Sequence, residues 1–573
     1  MVSFSALRKN LKKDFSGMPV IKAALLGDSA TQWLHEALRG CAYAYGIDLQ
    51  IWEADYNQQE RQLMDPGSEL YRQQPQIILL FRSTQALLHR FDTMPANERA
   101  TMADRELELI RSMANAVQSF SSARLICYNY AEMDDAVFGN YANRTPSSFL
   151  FQLRKLNFSL MQLSAALKDL FICDLNIVQQ SLGREQFFRP AIYVNTEMTV
   201  SLEALPAVAE RTLAIVRALQ GQSHKCLVLD LDNTLWGGII GDDGLENIQL
   251  GNLGIGKAFV AFQHWIKKLK ERGIILAVCS KNSPEIAQEV FEKHPEMVLR
   301  LDDFAVFAVN WENKADNLRH IQSILNIGFD SMVFLDDNPF EREMVRTHVP
   351  GITVPELPGD PAEYLEYLQG MNLFETISVS AEDADRNKLY QAEALRKSTI
   401  QKFTNEDDYL QSLLMQSRVE PFNNYNTPRV AQLTQRSNQF NLRTVRYTEA
   451  DIERIASSQQ HAGFCFTLED TFGSHGLIAV VILVKEDPAT LFIDTWLMSC
   501  RVLKRGMEQF TLNTLAAFAK KHGFRKLKGE YRPTAKNGLV KDHYEALGFT
   551  QSGDHWLLDM DGYENRKCFI NIK

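Results

Sequence analysis

Several function classes find no support in this sequence. Its 573 residues include eight cysteines, Cys41, Cys127, Cys173, Cys226, Cys279, Cys465, Cys500 and Cys568, and none form a C-x-x-C pair. Neither a zinc site nor a dithiol redox couple is therefore signalled. Cysteines in apolar runs, such as Cys127 and Cys173, read as small buried hydrophobes, and together they suggest a reducing compartment, the cytoplasm. Positive charge is in deficit. The formal net charge of -10 argues against broad nucleic-acid binding, which needs a basic footprint. The longest apolar run, 477–484, is far shorter than the roughly 20 residues of a membrane-spanning helix. The start has no apolar stretch before Lys12 and Lys13, so no secretory signal is expected. Low-complexity tracts and fixed-period repeats are missing too. What is left is an ordinary globular composition, 45% hydrophobic and 23% charged. The length suits three or four domains.

Apolar runs at 21–26, 76–81 and 124–128 alternate with helical stretches at 98–119 and 147–169. That alternation predicts a parallel α/β domain over residues 1–220. A second α/β domain is expected over 222–365. Three short apolar runs there, 226–229, 274–279 and 332–335, each end in polar residues. Phe259, Phe262, Ile266 and Leu269 recur at helical spacing between the first two. Continuous apolar strands imply a sheet covered on both faces. Ligands of such sheets bind beyond the carboxyl ends of the strands, so the polar ends should meet at one edge. Pro355, Pro358, Gly359 and Pro361 mark the exit. A helical connector is expected over 366–424, with its main helix at 381–400. Mixed strands and helices fill 425–573.

The chemistry concentrates in the second domain. Asp230 and Asp232 lie two apart at a strand end, where alternation points them the same way. Two carboxylates this close repel, and a hard divalent cation such as Mg²⁺ would resolve the repulsion. Asp336 and Asp337, at the end of another strand, supply further carboxylates. Ser280 can hydrogen-bond a phosphoryl oxygen, and Lys314 can neutralise its charge. A lone D-D pair usually solvates a loop, and a lone lysine is usually surface charge. The order of all four motifs, each after the right local pattern, favours a single site.

These motifs match the haloacid dehalogenase-like superfamily: D-x-D-x-T, a serine after a strand, a lysine, and D-D. The resemblance implies a covalent aspartyl-phosphate route. Asp230 would attack phosphorus. Asp232 would act as general acid, then as general base, with a raised pKa. The metal would touch Asp230, the backbone carbonyl of Asp232, and Asp336. Thr234, Asn282 and Asp337 would support the phosphate site. No large insertion follows Asp232, which resembles the capless subclass, whose members usually accept large substrates or are roofed by neighbouring domains.

The longer string L-D-L-D-N-T-L-W-G-G-I-I-G-D-D-G at 229–244 resembles the FkbH-like family, as does L-T-Q-R-S-N-Q-F-N-L at 433–442. The resemblance covers nearly the whole chain. It implies a central capless phosphatase-like Rossmannoid domain between an SGNH-hydrolase-like α/β domain and a GNAT acetyltransferase-like α+β domain. It also implies a phosphorylated acyl or small-molecule substrate in a biosynthetic pathway. The acyl group, glyceryl in the best-understood type, would pass to an acyl carrier protein or coenzyme A thiol. In glyceryl-loading members a cysteine can lie between the two motif aspartates; here Leu231 stands there.

The flanking domains carry weaker signals. Gly27-Asp28-Ser29 after a strand matches the first SGNH block, with Ser29 in the nucleophile position, although such a strand-to-helix turn often only caps a helix. The late D-x-x-H of that family is missing, because residues 187–194 contain no histidine. A degenerate scaffold or a binding role is therefore expected. In the last domain, Arg501, Lys504, Arg505 and Gly506 precede a helix and resemble the GNAT pyrophosphate loop, with Lys504 in place of its first glycine. Backbone N–H groups there could cradle the diphosphate of coenzyme A, or phosphopantetheine. Asn537 and Tyr544 match the second half of that fold, Tyr544 at the general-acid position. The bland alternatives are a solvated basic turn and a core tyrosine. Two rival readings remain: a plain phosphatase with structural flanks, and a non-catalytic scaffold.

Overall fold

The computed structural model describes residues 2–379, 383, 386–400 and 405–573. The chain divides into two compact units, 1–217 and 218–573.

The first unit is built on a five-stranded parallel sheet of β1 (Val20–Gly27), β2 (Asp48–Glu53), β3 (Ile77–Phe81), β4 (Arg124–Tyr128) and β5 (Leu170–Cys173), in the order β2-β1-β3-β4-β5. All five residues of β3 are buried, as expected where helices cover both faces. Those helices include α1 (Gln32–Ala44), α2 (Met102–Phe120) and α3 (Phe149–Ala166). The hydroxyl of Ser148 caps α3 by accepting from the Phe151 N–H. The strand order reverses between β1 and β3, so their carboxyl ends form a topological switch point.

The second unit holds two sheets. The first is parallel, with β6 (Cys226–Leu229), β7 (Ile275–Ser280), β8 (Val306–Val309) and β9 (Met332–Leu335) in the order β8-β7-β6-β9. Alternation splits its side chains. Leu227 and Leu229 enter one core with Phe259, Phe262, Ile266 and Leu269 of α4 (Gly256–Glu271). Cys226 and Val228 enter the other with Leu318 and Ile321 of α6 (Lys314–Leu325). Helix α5 (Pro284–Lys293) follows β7. Strand β8 has only four residues and was not anticipated from the sequence.

The stretch expected as a connector, 366–424, proves to be divided. Leu368 and Phe374 belong to the core of the central domain. Helix α7 spans Arg386–Ile400; residues 381, 382, 384 and 385 of the expected helix lie outside the described residues. The Asn387 amide accepts from the Leu276 N–H at 3.0 Å, which ties α7 to β7. β10 (Gln416–Ser417) and β11 (Val419–Pro421) pair instead with the last sheet.

That sheet is mixed. Strands β12 (His461–Asp470), β13 (Gly473–Lys485) and β14 (Thr490–Met498) run antiparallel. β15 (Lys526–Glu530) joins β14 in parallel, and β16 (Thr550–Ser552), β17 (His555–Asp559) and β18 (Asn571–Ile572) complete it. Helix α8 (Thr427–Arg436) covers one face and α9 (Met507–Lys521) follows β14. With its meander, the helix after β14 and the parallel β15, this is a GNAT-like α+β domain. Among the described residues, no helix is long and apolar enough to cross a membrane.

Helix α7 also reaches this third domain. The Arg396 guanidinium grips Asp470 bidentately at 2.9 and 2.8 Å, and Arg505 bonds Glu393 at 2.6 Å and Asp470 at 3.2 Å. Removing one partner from such a buried cluster strands the others. Asp470→Ala is expected to destabilise the second unit by about 3–5 kcal/mol, measured by denaturant unfolding.

Candidate active site

The carboxyl ends of β6, β7 and β9 meet at one edge. Asp230 follows β6, its N–H donating to the Leu335 carbonyl of β9 at 2.9 Å. β7 lies beside β6 in the register Leu229↔Val278, which brings the buried Ser280 to the same edge. After Asp232 the chain turns sharply at Asn233 (φ 54°), whose side chain accepts from the Gly238 N–H.

Oxygens of Asp230, Asp336 and Asp337 lie within 4.8 Å of one another. Lys314, the first residue of α6, inserts its ammonium between two of them, 2.8 Å from Asp230 and 2.5 Å from Asp336. A cation at a helix amino end opposes the helix dipole, so these carboxylates are what hold it there. Burial disfavours the Lys314 charge, but Asp230 and Asp336 outweigh burial and raise its pKa well above the ordinary lysine value.

The D-D loop is clamped from below. Arg342 donates to the carbonyls of Asp336 and Asp337 at 2.8 and 2.7 Å, and the Asp337 N–H donates to the Thr234 hydroxyl at 3.2 Å. Thr234 thus positions the loop. Nothing in the local sequence around Arg342 marks it.

Asp232 is held differently. One carboxylate oxygen accepts from the Trp236 indole at 2.9 Å and the Ile240 N–H at 3.1 Å; the other accepts from Asn282 at 3.0 Å. Its side chain is outside the three-carboxylate cluster. Burial raises the Asp232 pKa despite the Ile240 and Trp236 hydrogen bonds. A carboxyl with a raised pKa suits a general acid better than an ordinary one.

Hard oxygen donors around a single point fit a hard divalent cation. Ile240–Asp243 forms one short helical turn and α4 follows, so no cap intervenes between Asp232 and β7. Next in sequence to site residues, three apolar side chains are exposed: Ile239 beside Ile240, Trp311 ahead of Lys314, and Phe340 in the helix that starts after Asp337, at 46%, 75% and 73%. Leu231 is fully buried, and burial raises the pKa of Cys226 and Cys279 in the core. No activated thiol faces Asp230 from these positions.

The flanking candidates fare differently. Arg501 and Arg505 are not displayed to solvent. Arg501 donates to the His475 carbonyl, and Arg505 lies in the Glu393–Asp470 cluster. Buried carboxylates and carbonyls have taken both guanidiniums of the loop that resembles a pyrophosphate site. Asn537 is spent on the backbone, donating to the Asn441 and Arg532 carbonyls. The Tyr544 ring packs in the core against Trp496 and Trp556, and burial pushes its phenol well above the ordinary value. Gly506 keeps its expected place. With φ 81° it opens α9 and lines a cleft of about 510 Å³, together with Leu503, Lys504, His543 and Cys568. β14 and β15 pair only at Thr490–Phe492. Beyond that they part, and the chain's own Phe440 and Leu442 hydrogen-bond Met498 and Trp496 of β14. In the first unit, the buried Ser29 hydroxyl has no hydrogen-bond partner, hence no base.

Residues 22–217 match the family described as FkbH, N-terminal domain. The chain is similar to the N-terminal part of the protein BF1531 from Bacteroides fragilis, described as containing a phosphatase domain complexed with Mg. Identity is 53%, over 66% of this chain and 100% of that one, with a TM-score of 0.64. The ribosomal-protein-S18-alanine N-acetyltransferase from Escherichia coli matches at 15% identity over 26% of this chain and 98% of that one, TM-score 0.21. No curated protein matches the chain.

Burial and the Asp230 charge raise the Asp336 pKa, and the same causes push Asp337 up to about 6. A cation that takes Asp336 as a ligand must displace its proton. Divalent-cation affinity is therefore expected to rise with pH through this range and to fall by about tenfold per unit below it, as read by calorimetric titration with proton-release correction.

Proposed function

Because the chain belongs to the FkbH-like family, with a haloacid dehalogenase-type phosphatase domain at its centre, we propose that it is a magnesium-dependent phosphoryl-transfer enzyme acting through Asp230. The observation that carries this reading is the buried meeting of Asp230, Asp336, Asp337 and Lys314 at one strand edge. Asp230, the Asp232 carbonyl and Asp336 would hold the ion, and the Mg complex of the BF1531 protein supports Mg²⁺ as its identity. When bound, the ion supplies charge neutralisation for the phosphoryl oxygens.

Asp230 attacks phosphorus and the bond from phosphorus to the leaving oxygen breaks. Asp232 gives its proton to that oxygen. The resulting carboxylate then takes a proton from water, which attacks the phospho-aspartate, frees phosphate and restores Asp230. Lys314 and Ser280 stabilise the charge on the transferred group.

The lack of a cap insertion after Asp232 and the exposed Trp311 and Phe340 support a reading of the substrate class. A phosphorylated acyl or other small molecule, free or borne on a larger partner, can reach the site, with its non-reacting part against Trp311 and Phe340. We further propose that an acyl group passes on to an external thiol, of an acyl carrier protein or coenzyme A. In that reaction the thiolate attacks the acyl carbon, the carbon–oxygen bond breaks and phosphate leaves directly. The lack of an activated thiol beside Asp230 and the apolar cleft at Gly506 support an external acceptor. A biosynthetic setting in the cytoplasm agrees with the eight free cysteines.

Incubation with Mg²⁺ and acetyl phosphate, with and without holo-carrier protein, tests this. Without carrier, phosphate release is expected and Asp230→Asn abolishes it; unchanged turnover of that variant in the carrier-free reaction rules out Asp230 as nucleophile. Mass gain on the carrier identifies acyl transfer, and release without it leaves the phosphatase. Lys314→Ala should lower kcat about 10²–10³-fold. Trp311→Ala should raise KM about tenfold for a substrate with an apolar substituent and leave kcat for acetyl phosphate unchanged.

A further inference from the structure

Strand alternation sorts the residues of the central sheet into two rows. Cys226 and Val228 of β6, Ile275, Ala277 and Cys279 of β7, and Met332 and Phe334 of β9 enter one core, with Leu318 of α6 and Val345 of the helix Pro339–His348. One further step along each row gives Asp230, Lys281 and Asp336. Ser280 continues the opposite row, that of Leu276 and Val278. Lys281 therefore belongs to the face of the sheet from which Lys314 of α6 reaches Asp230.

Register sets its height. Leu229 pairs with Val278 on one side and with Leu335 on the other, so Asp230 is level with Cys279 and Asp336. Lys281 lies two residues further on, about 7 Å beyond them at the usual strand rise. Its ammonium bonds Glu341 at 2.6 Å, and Glu341 is in the helix that follows β9. In the order β8-β7-β6-β9, β6 lies between β7 and β9. The Lys281–Glu341 pair thus joins the chains that leave the two neighbours of β6, across the end of the strand that carries Asp230. The same loop touches the first motif, where Asn282 donates to Asp232 at 3.0 Å.

The two cations of the site are held differently. Lys314 is enclosed and divided between Asp230 and Asp336. Lys281 is anchored at one point only. The Glu341 side chain is 10% exposed, with one oxygen on Lys281 and the other without a hydrogen bond, whereas the Lys281 side chain is 35% exposed. An ammonium has three N–H donors, and Glu341 takes one. Charge indicates a use for the others. Asp230, Asp336 and Asp337 bring three negative charges; Lys314 and a divalent ion together balance them. An arriving phosphoryl group adds close to two more negative charges. Lys281 supplies further positive charge on the face of Asp230 and beyond it.

We propose, resting on the reading of Asp230 as nucleophile, that Lys281 donates to an oxygen of the phosphoryl group and that Glu341 is the positioning residue that holds it there. Lys281 keeps its bond to Glu341 throughout, since releasing it would strand a buried carboxylate.

Calorimetric titration of inorganic phosphate into the Mg²⁺-loaded full chain tests this, beside turnover of acetyl phosphate. Lys281→Met should weaken phosphate binding about tenfold and raise KM for acetyl phosphate by a similar factor. Lys281→Arg, which keeps the charge, should restore most of the binding, and Glu341→Gln should weaken it by a smaller factor. Mg²⁺ affinity measured without phosphate should not fall in Lys281→Met, which shows that the site is still assembled. Wild-type phosphate affinity and KM in Lys281→Met, with Asp230→Asn inactive, overturn the proposal and leave the Asp230 reading standing. So does a matching loss of Mg²⁺ and phosphate affinity that Lys281→Arg does not reverse, because the pair is then only a structural clasp. A wild-type chain that releases no phosphate overturns both.

Discussion

Three carboxylates converge on a buried point, and only positive charge makes that tolerable. Asp230, Asp336 and Asp337 would repel one another strongly at this depth, and the Lys314 ammonium between two of them offsets part of that repulsion. The parallel sheet brings the aspartates to the ends of β6 and β9. The start of α6 aims the lysine, and Arg342 fixes the D-D loop by its carbonyls. A site assembled against its own repulsion is poised to take up a cation and to stabilise a phosphoryl group.

The two aspartates of the first motif are separated by environment. Asp230 faces the charge cluster, while Asp232 is turned away onto Trp236, Ile240 and Asn282. That separation suits the proposed roles, Asp230 as nucleophile and Asp232 as proton carrier.

The central site was legible because its chemistry requires particular residue types directly after strands, and short apolar runs announce strands. Asp230, Asp232, Ser280, Lys314 and Asp336 all reach the expected edge. Arg342 and Trp236 were not legible, since their roles come from contacts that carry no motif. The basic residues before α9 misled for a related reason. Arg505 reads as a displayed cation until Glu393, 112 residues away, is seen to hold it. Asn537 and Tyr544 likewise have spacing that resembles a ligand site, but backbone carbonyls and aromatic neighbours absorb them. β8 escaped notice because four residues carry too little pattern to distinguish a strand.

Manganese-soaked crystals of the full chain would test the central claim most directly, because anomalous scattering locates the ion without assuming its ligands. The account predicts one peak about 2.1 Å from carboxylate oxygens of Asp230 and Asp336 and from the Asp232 carbonyl, with Lys314 still on Asp230. A peak confined to another part of the molecule, or those side chains pointing apart, would contradict it.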